Sequence, residues 1–439
     1  MVDWWVHLIL LLGGLGTLML AGVPVAFAFL IVNIVGGCVY MGGLKALPQL
    51  VLSIFDSLAT FVFAPVPLFI LMGSLMFHSG IANRALNAFD MWLGRVPGRL
   101  SLLAVMGGTM FSSLTGSSMA NTAMLGSTLV PEMQRRGYSK AMSMGPILAA
   151  GGLAIMIPPS SLAVLLGSLA RISIADLLIA GILPGILMAT LYAIFIVGRC
   201  SLDPALAPAY SVEPGPLLAK LTATVKYILP LGIIVFLVVG VIILGIATPT
   251  EAAALGTVGT FALAGTYGDV TWARMRASLI ETVRVTIAVF WIIAGAAAFS
   301  QILTFSGAGP GLIGFVAGLD VSPMLILLAI MLLYLFLGCF MEQLAMLMVT
   351  IPIIMPLVTT LSFDPLWFGV LVLITLEVAA ISPPFGLVLF VMKGVAPKHV
   401  TMADIYRSAL PYIVCNLIVL AVMIAFPSLA LWLPGLRGP

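Results

Sequence analysis

Apolar residues run along this chain in blocks of about 20, the length a helix needs to cross a bilayer core. The blocks read as spans at roughly 5–21, 22–42, 60–79, 141–169 and 176–198, and again at 227–246, 250–267, 284–304, 365–392 and 404–431. Two further apolar segments, 100–131 and 322–357, are interrupted near their centres at "SSLTGSSMANT" and "LGCFMEQ". An arm of about 15 residues makes a helix of about 22 Å, short of a hydrocarbon core of about 30 Å. Each interrupted segment therefore reads as a re-entrant hairpin. Two of the spans are broken as well. "AAGGLAIMIPPSS" and "EVAAISPPFG" place glycines and paired prolines inside 141–169 and 365–392.

Pro24, Pro131, Pro158 and Pro159 recur 225 positions later as Pro249, Pro356, Pro383 and Pro384. One coincidence of this kind means little; four at one offset in similar apolar context indicate two related halves. The polar, Pro-rich stretch 199–226 separates them. The expected organisation is a first repeat over 1–198, a connector over 199–226 and a second repeat over 227–439. Stretches 44–58, 80–95 and 268–283 have amphipathic character and read as surface helices or bracing arms.

Charge sets the orientation. Arg84, Arg95 and Arg99 precede the first hairpin and Arg135, Arg136 and Lys140 follow it, whereas no Lys or Arg occurs between Arg284 and Lys393. The positive-inside rule then opens the first hairpin from the cytoplasm and the second from outside. Fifteen basic residues fall inside; Lys45, Arg171 and Arg437 fall outside. Five spans is an odd number, so the second repeat is inverted relative to the first. Trp4, Trp5, Trp92, Trp272 and Trp432 lie near span ends, as interfacial anchors do.

Composition agrees. Of 439 residues, 62% are hydrophobic and 8% charged, against about 25% charged in soluble domains. The expected class is an all-α polytopic membrane protein. A net charge of +3 with dispersed basic residues argues against a nucleic-acid partner, and the four cysteines lack metal-ligand spacing. No Gly-x-Ser-x-Gly elbow, His-Glu-x-x-His or paired membrane aspartates suggest an enzyme. The expectation is no catalytic residue and no cofactor, with sodium as the only ion.

Inverted repeats with interrupted helices point to a secondary transporter whose solutes bind at the breaks. A break frees backbone groups that lipid cannot satisfy. Half-helix N-termini suit an anion; freed carbonyls with hydroxyl and carboxylate oxygens suit a small cation. The expected sodium set is Gly116, Ser117, Ser118, Gly151, Gly152, Pro158, Gly338, Glu342, Ser382 and Pro383. The expected substrate set is Asn121, Thr122, Ser160, Gln343 and Thr375. Structural readings compete: Ser117 and Ser118 as caps, the glycines as packing positions, Glu342 as an acid at a helix N-terminus. Glu377, Arg171 and Arg284 are left unassigned. Thr248-Pro249-Thr250-Glu251 reads as a capping box.

The stretches "GSSMANTAMLGSTLVPEMQRRGY", "AAGGLAIMIPPS", "GIATPTEAAALG", "GCFMEQLAMLMVTIPIIMP" and "EVAAISPPFGLVLFVMKGV" together resemble the large membrane subunit of tripartite ATP-independent periplasmic (TRAP) transporters. The resemblance implies an elevator-type transporter of the bacterial inner membrane. It implies sodium-coupled uptake of an organic acid (a C4-dicarboxylate, sialic acid or similar carboxylate) handed over by a periplasmic binding protein. It also implies a small four-helix membrane subunit, expected as a separate chain. Glu342 stands where the family often has Asp, and Asn121 where small residues are common. The rival expectation is a stand-alone sodium/dicarboxylate or citrate symporter of the same architecture.

Overall fold

The computed structural model describes residues 3–436 except 95, 116, 209–215, 268–270 and 385. Among the described residues there is no strand. The first half runs α1 Trp4–Leu20, α2 Val25–Tyr40, α3 Ala46–Leu58, α4 Pro65–Ser79, α5 Ile81–Asp90, α6 Arg99–Thr115, α7 Ser118–Arg135, α8 Lys140–Gly152, α9 Ser161–Ala170 and α10 Ile174–Leu202. The second half opens with α11 Leu217–Ala223, α12 Leu229–Val235 and α13 Val241–Ile243, which two π-turns join into one rod. It continues with α14 Pro249–Thr266, α15 Trp272–Phe305, α16 Ala308–Ala317, α17 Pro323–Gly338, α18 Gln343–Thr360, α19 Pro365–Ala380, α20 Leu387–Val395, α21 Met402–Ala425 and α22 Pro427–Gly435.

The 225-residue offset reaches the helix starts: α7 begins at Ser118 and α18 at Gln343, α8 at Lys140 and α19 at Pro365. Local chemistry explains these starts. Ser117 and Glu342 cap α7 and α18, accepting from the N–H groups of Ala120 at 3.3 Å and Ala345 at 3.2 Å. Ser139 and Asp364 cap α8 and α19 in the same way. Each cap satisfies one of the backbone donors left open at a helix start.

α8 and α19 form the centre. Every residue of α19 from Trp367 to Ala380 is buried, as is α8 from Met142 to Gly152. The hairpin α6–α7 packs on α8, the pair α17–α18 on α19, and α10 and α21 close over both. A second layer, α1–α4 with α14–α16, lies outside. α15 is its spine, touching α2, α3 and α4 on one side and α18 on the other.

Several expected boundaries move. The stretch 268–283 and the span 284–304 are not separate: from Trp272 to Phe305 they form one 34-residue helix, because no Gly or Pro interrupts the chain between Trp272 and Ala294. The span expected over 404–431 stops at Ala425, since Pro427 forces Phe426 out of helical geometry. The first membrane helix of the second half starts at Leu217 rather than 227. The hairpin arms contain 17, 18, 16 and 18 residues, more than the 15 anticipated. α6 runs to Thr115 and α7 starts at Ser118 in one hairpin, and only Cys339–Glu342 separate α17 from α18 in the other, so most of each segment is helix.

Candidate functional site

Both broken helices interrupt where a hairpin tip meets them. α8 ends at Gly152, passes through a 3-10 turn Leu153–Ile155 and resumes as α9. Pro158 and Pro159 supply no N–H to Ala154 and Ile155, so the helix cannot continue through them. α19 ends at Ala380 and resumes as α20 after Pro383 and Pro384. The Pro158–Pro159 and Pro383–Pro384 bonds are both cis.

The first tip is tied to the first break through Asn121, whose Nδ2 donates to the carbonyls of Gly108 at 3.1 Å and Ala150 at 3.2 Å. One side chain thus binds α6, α7 and α8 together. Beside it, Thr122 is fully buried and its Oγ1 has no hydrogen-bond partner. Gly151 faces that hydroxyl so closely that a Cβ there would lie 2.0 Å from Thr122 Oγ1 and 3.2 Å from the Ser118 carbonyl oxygen. The second tip is tied to the second break by Gln343, whose Nε2 donates to the Leu376 carbonyl at 2.9 Å. Gly338 packs on Ala379, where a Cβ would approach to 2.1 Å. At Gly386 the carbonyl oxygens of Ala380 and Ser382 converge, 2.5 and 2.8 Å from the place a Cβ would take.

The breaks also touch each other. Gly152 lies against Glu377, whose Cγ would be 2.6 Å from a Cβ. Glu377 is fully buried. Its Oε1 accepts from the Tyr192 hydroxyl at 2.9 Å and from Asn416 Nδ2 at 3.4 Å. Tyr192 on α10 and Asn416 on α21 thereby fix the junction of the two halves.

Between the layers lies a cavity of about 320 Å³. The inner layer contributes Ser117 and Ser118 from the start of α7, Ser161 from the start of α9, and Glu342 and Gln343 from the start of α18. Three helix N-termini with their partial positive charge therefore open on one space. The outer layer contributes Phe69, Ser74 and Phe77 from α4 and Glu281 from α15. A larger cavity of about 1120 Å³ lies further along the same seam. Its walls include Asp56, Arg171, Ser300, Gln301 and Thr359.

The expected residues sort themselves against this geometry. Ser117, Ser118, Glu342 and Gln343 line the smaller cavity. Asn121, Thr122, Ser160 and Thr375, expected as substrate contacts, do not. Asn121 and Thr122 lie in the seam between α7 and α8, Ser160 caps α9 through the Ala163 N–H, and Thr375 donates to Leu371 inside its own helix. For Asn121 and Thr122 the physical reason is rotation about the helix axis: about one turn beyond Ser117 and Ser118, the side chains point at the neighbouring helix. Ser382 spends its hydroxyl on the Val378 carbonyl at 2.7 Å. Gly151, Gly152 and Gly338 are sites of close approach. Pro158 is buried, and Pro383 stands at the second break. Gly116 lies outside the described residues. Arg171 borders the larger cavity; Arg284 is exposed on α15. The Thr248–Glu251 capping box is present. Sequence reasoning missed Ser74 and Glu281. Glu281 sits in a stretch whose polar pattern looked like a surface helix, and nothing local marks it as cavity-facing.

Residues 12–429 match the family model described as "Tripartite ATP-independent periplasmic transporter, DctM component". The chain belongs to this family. It is a multi-pass integral membrane protein of the bacterial inner membrane and a large permease subunit of a transporter. It is 31% identical to the C4-dicarboxylate TRAP transporter large permease protein DctM of Pseudomonas aeruginosa, over 89% of this chain and 90% of that one. It is 28% identical to the ectoine TRAP transporter large permease protein TeaC of Halomonas elongata, over 95% and 97%. Among solved structures, the Alcanivorax borkumensis YdaH transporter aligns with a TM-score of 0.67 at 15% identity, covering 94% of this chain and 98% of the other. At that identity the likeness is one of fold.

Proposed function

We propose that this TRAP permease is a sodium-driven importer of small carboxylate-bearing solutes. It receives them from a periplasmic binding protein and works with a small membrane subunit. The single observation that carries the reading is the convergence of the α7, α9 and α18 N-termini on one cavity, with oxygen-rich seams behind them. A substrate carboxylate belongs at the N-termini. Sodium belongs where oxygens gather: Thr122 Oγ1 with the Ser118 carbonyl beside Gly151, and the Ala380 and Ser382 carbonyls beside Gly386, the second of which also accepts from the Gly386 N–H at 3.1 Å. Both sets are hard oxygen donors, and neither contains a nitrogen or sulfur ligand. This modifies the sequence-based assignment: Thr122 moves from the substrate set to the ion set.

The two halves are read as inverted repeats. The inner layer α6–α9 with α17–α20 is read as the moving body, and α1–α4 with α14–α16 as the fixed one. Two cavities strung along one seam fit a body that slides between two levels. Coupling follows from sign. An inside-negative potential opposes anion uptake by about 2.3 kcal/mol per charge per 100 mV, and more sodium ions than substrate charges reverse that opposition.

The test is uptake into proteoliposomes with the cognate binding protein and small subunit present. Uptake that rises with an inward sodium gradient and needs the binding protein is the expected result. Uptake indifferent to sodium rejects the coupling, and full uptake without the binding protein selects the stand-alone symporter.

A further inference from the structure

The fixed wall of the smaller cavity carries a charge that the carboxylate reading does not use. Ser74 on α4 donates its hydroxyl to Glu281 Oε2 on α15 at 2.6 Å, holding the carboxylate in one orientation. The Glu281 side chain is 47% exposed, so the cavity reaches it. His78 Nδ1 stands 3.7 Å from the same oxygen, but His78 is outside the cavity lining and its Nδ1 is also 2.9 Å from the Ser74 carbonyl oxygen. Among the described residues that line the cavity there is no Lys, Arg or His; the charged ones are Glu281 and Glu342. Glu342 is turned onto its own helix as the cap of α18. Glu281 is the acid that faces the contents.

Charge balance then restricts the substrate. One substrate carboxylate is matched by the α7 and α9 ends, whose caps are neutral serines, while the α18 end already holds the Glu342 carboxylate. In about 320 Å³ a second carboxylate has no cationic side chain to meet and lies within unscreened range of Glu281. A cationic nitrogen in the same place meets a carboxylate and the aromatic side chains of Phe69 and Phe77 in the same wall.

We propose that the preferred substrate is a small zwitterion, one carboxylate with one cationic nitrogen, and that Glu281 is the residue that selects it over a dianion. The proposal rests on the reading of this cavity as the substrate site.

The test measures sodium-dependent binding of glycine betaine and of succinate to the permease purified with its small subunit, by thermal shift and direct titration. Betaine is expected to bind about tenfold more tightly than succinate, the scale of one uncompensated charge pair in a half-wet cleft. Glu281→Gln is expected to erase most of that ratio and Glu281→Asp to keep it. Should Glu281→Gln not fold, Ser74→Ala, which frees the carboxylate, is expected to lower the ratio. Succinate binding as well as betaine in the unaltered protein, or a ratio that folded Glu281→Gln leaves unmoved, overturns the zwitterion assignment while leaving the site intact. If neither ligand binds in sodium, and sodium-driven uptake with the native binding protein is absent too, the substrate site itself is wrong.

Discussion

Gly152 and Glu377 lie in contact where the two broken helices cross, and the missing Cβ of the one makes room for the carboxyl arm of the other. Each belongs to a different half of the chain. The junction is fully buried and closed by Tyr192 and Asn416.

Gly152→Ala therefore forces Glu377, Tyr192 and Asn416 to shift together. Overpacking of this kind destabilises by about 1–3 kcal/mol. Thermal unfolding in detergent should show the loss. Gly16→Ala is the control, because nothing lies within 4 Å of the Cβ it would add. Equal melting of both variants would show that the junction is loose.

Thr122→Val separates packing from ion binding. The two side chains are nearly isosteric, and removing a buried hydroxyl that has no partner is neutral or stabilising on its own. If sodium completes that hydroxyl, the variant stays folded but its sodium midpoint rises about tenfold, equivalent to about 1.4 kcal/mol. Sodium titration of the melting temperature reads this directly. An unchanged midpoint removes Thr122 from the ion site.

Two caps distinguish structure from function. Ser117→Ala and Thr248→Ala each remove an N-cap, a loss of about 1 kcal/mol. Ser117 opens on the cavity and Thr248 is remote from it. Both variants should melt earlier, and only Ser117→Ala should lower sodium-dependent uptake. Ser118→Ala, which removes no cap, should lower uptake without the stability loss. Equal transport in all three would confine these serines to helix capping.

Orientation is open to chemical labelling. Pro97 and Arg135 are exposed at the open end of the first hairpin, and Val321 and Ser362 at that of the second. Single cysteines at Pro97 and Arg135 should react with an impermeant maleimide only from the cytoplasmic face. Those at Val321 and Ser362 should react only from outside. Labelling of all four from one side would contradict the inverted arrangement.

Much of the plan was legible in the residues. The breaks at Gly151–Pro159 and Ala380–Pro384 could be read because proline and glycine act locally, through a missing N–H and a missing Cβ. The hairpin tips could be read for the same reason, as could the Thr248 cap. The fusion of 268–283 with 284–304 was missed because a polar patch on a helix and a polar loop share a pattern. Thr122, Thr375 and Ser160 lie close to the breaks along the chain but do not line the smaller cavity, because closeness in sequence does not set direction in space.

The sequence by itself determined where helices stop, and it carried the expectation of two related halves with oppositely facing hairpins. Those properties follow from backbone donors, short-range sterics and the distribution of Lys and Arg. Only the tertiary structure decided which polar atoms share a space. It set Thr122 against Gly151, Gly152 against Glu377, and Glu281 across a cavity from Ser117 and Gln343. Those partners lie tens to hundreds of positions apart, and the face each helix turns inward is fixed by packing with its neighbours rather than by its own residues.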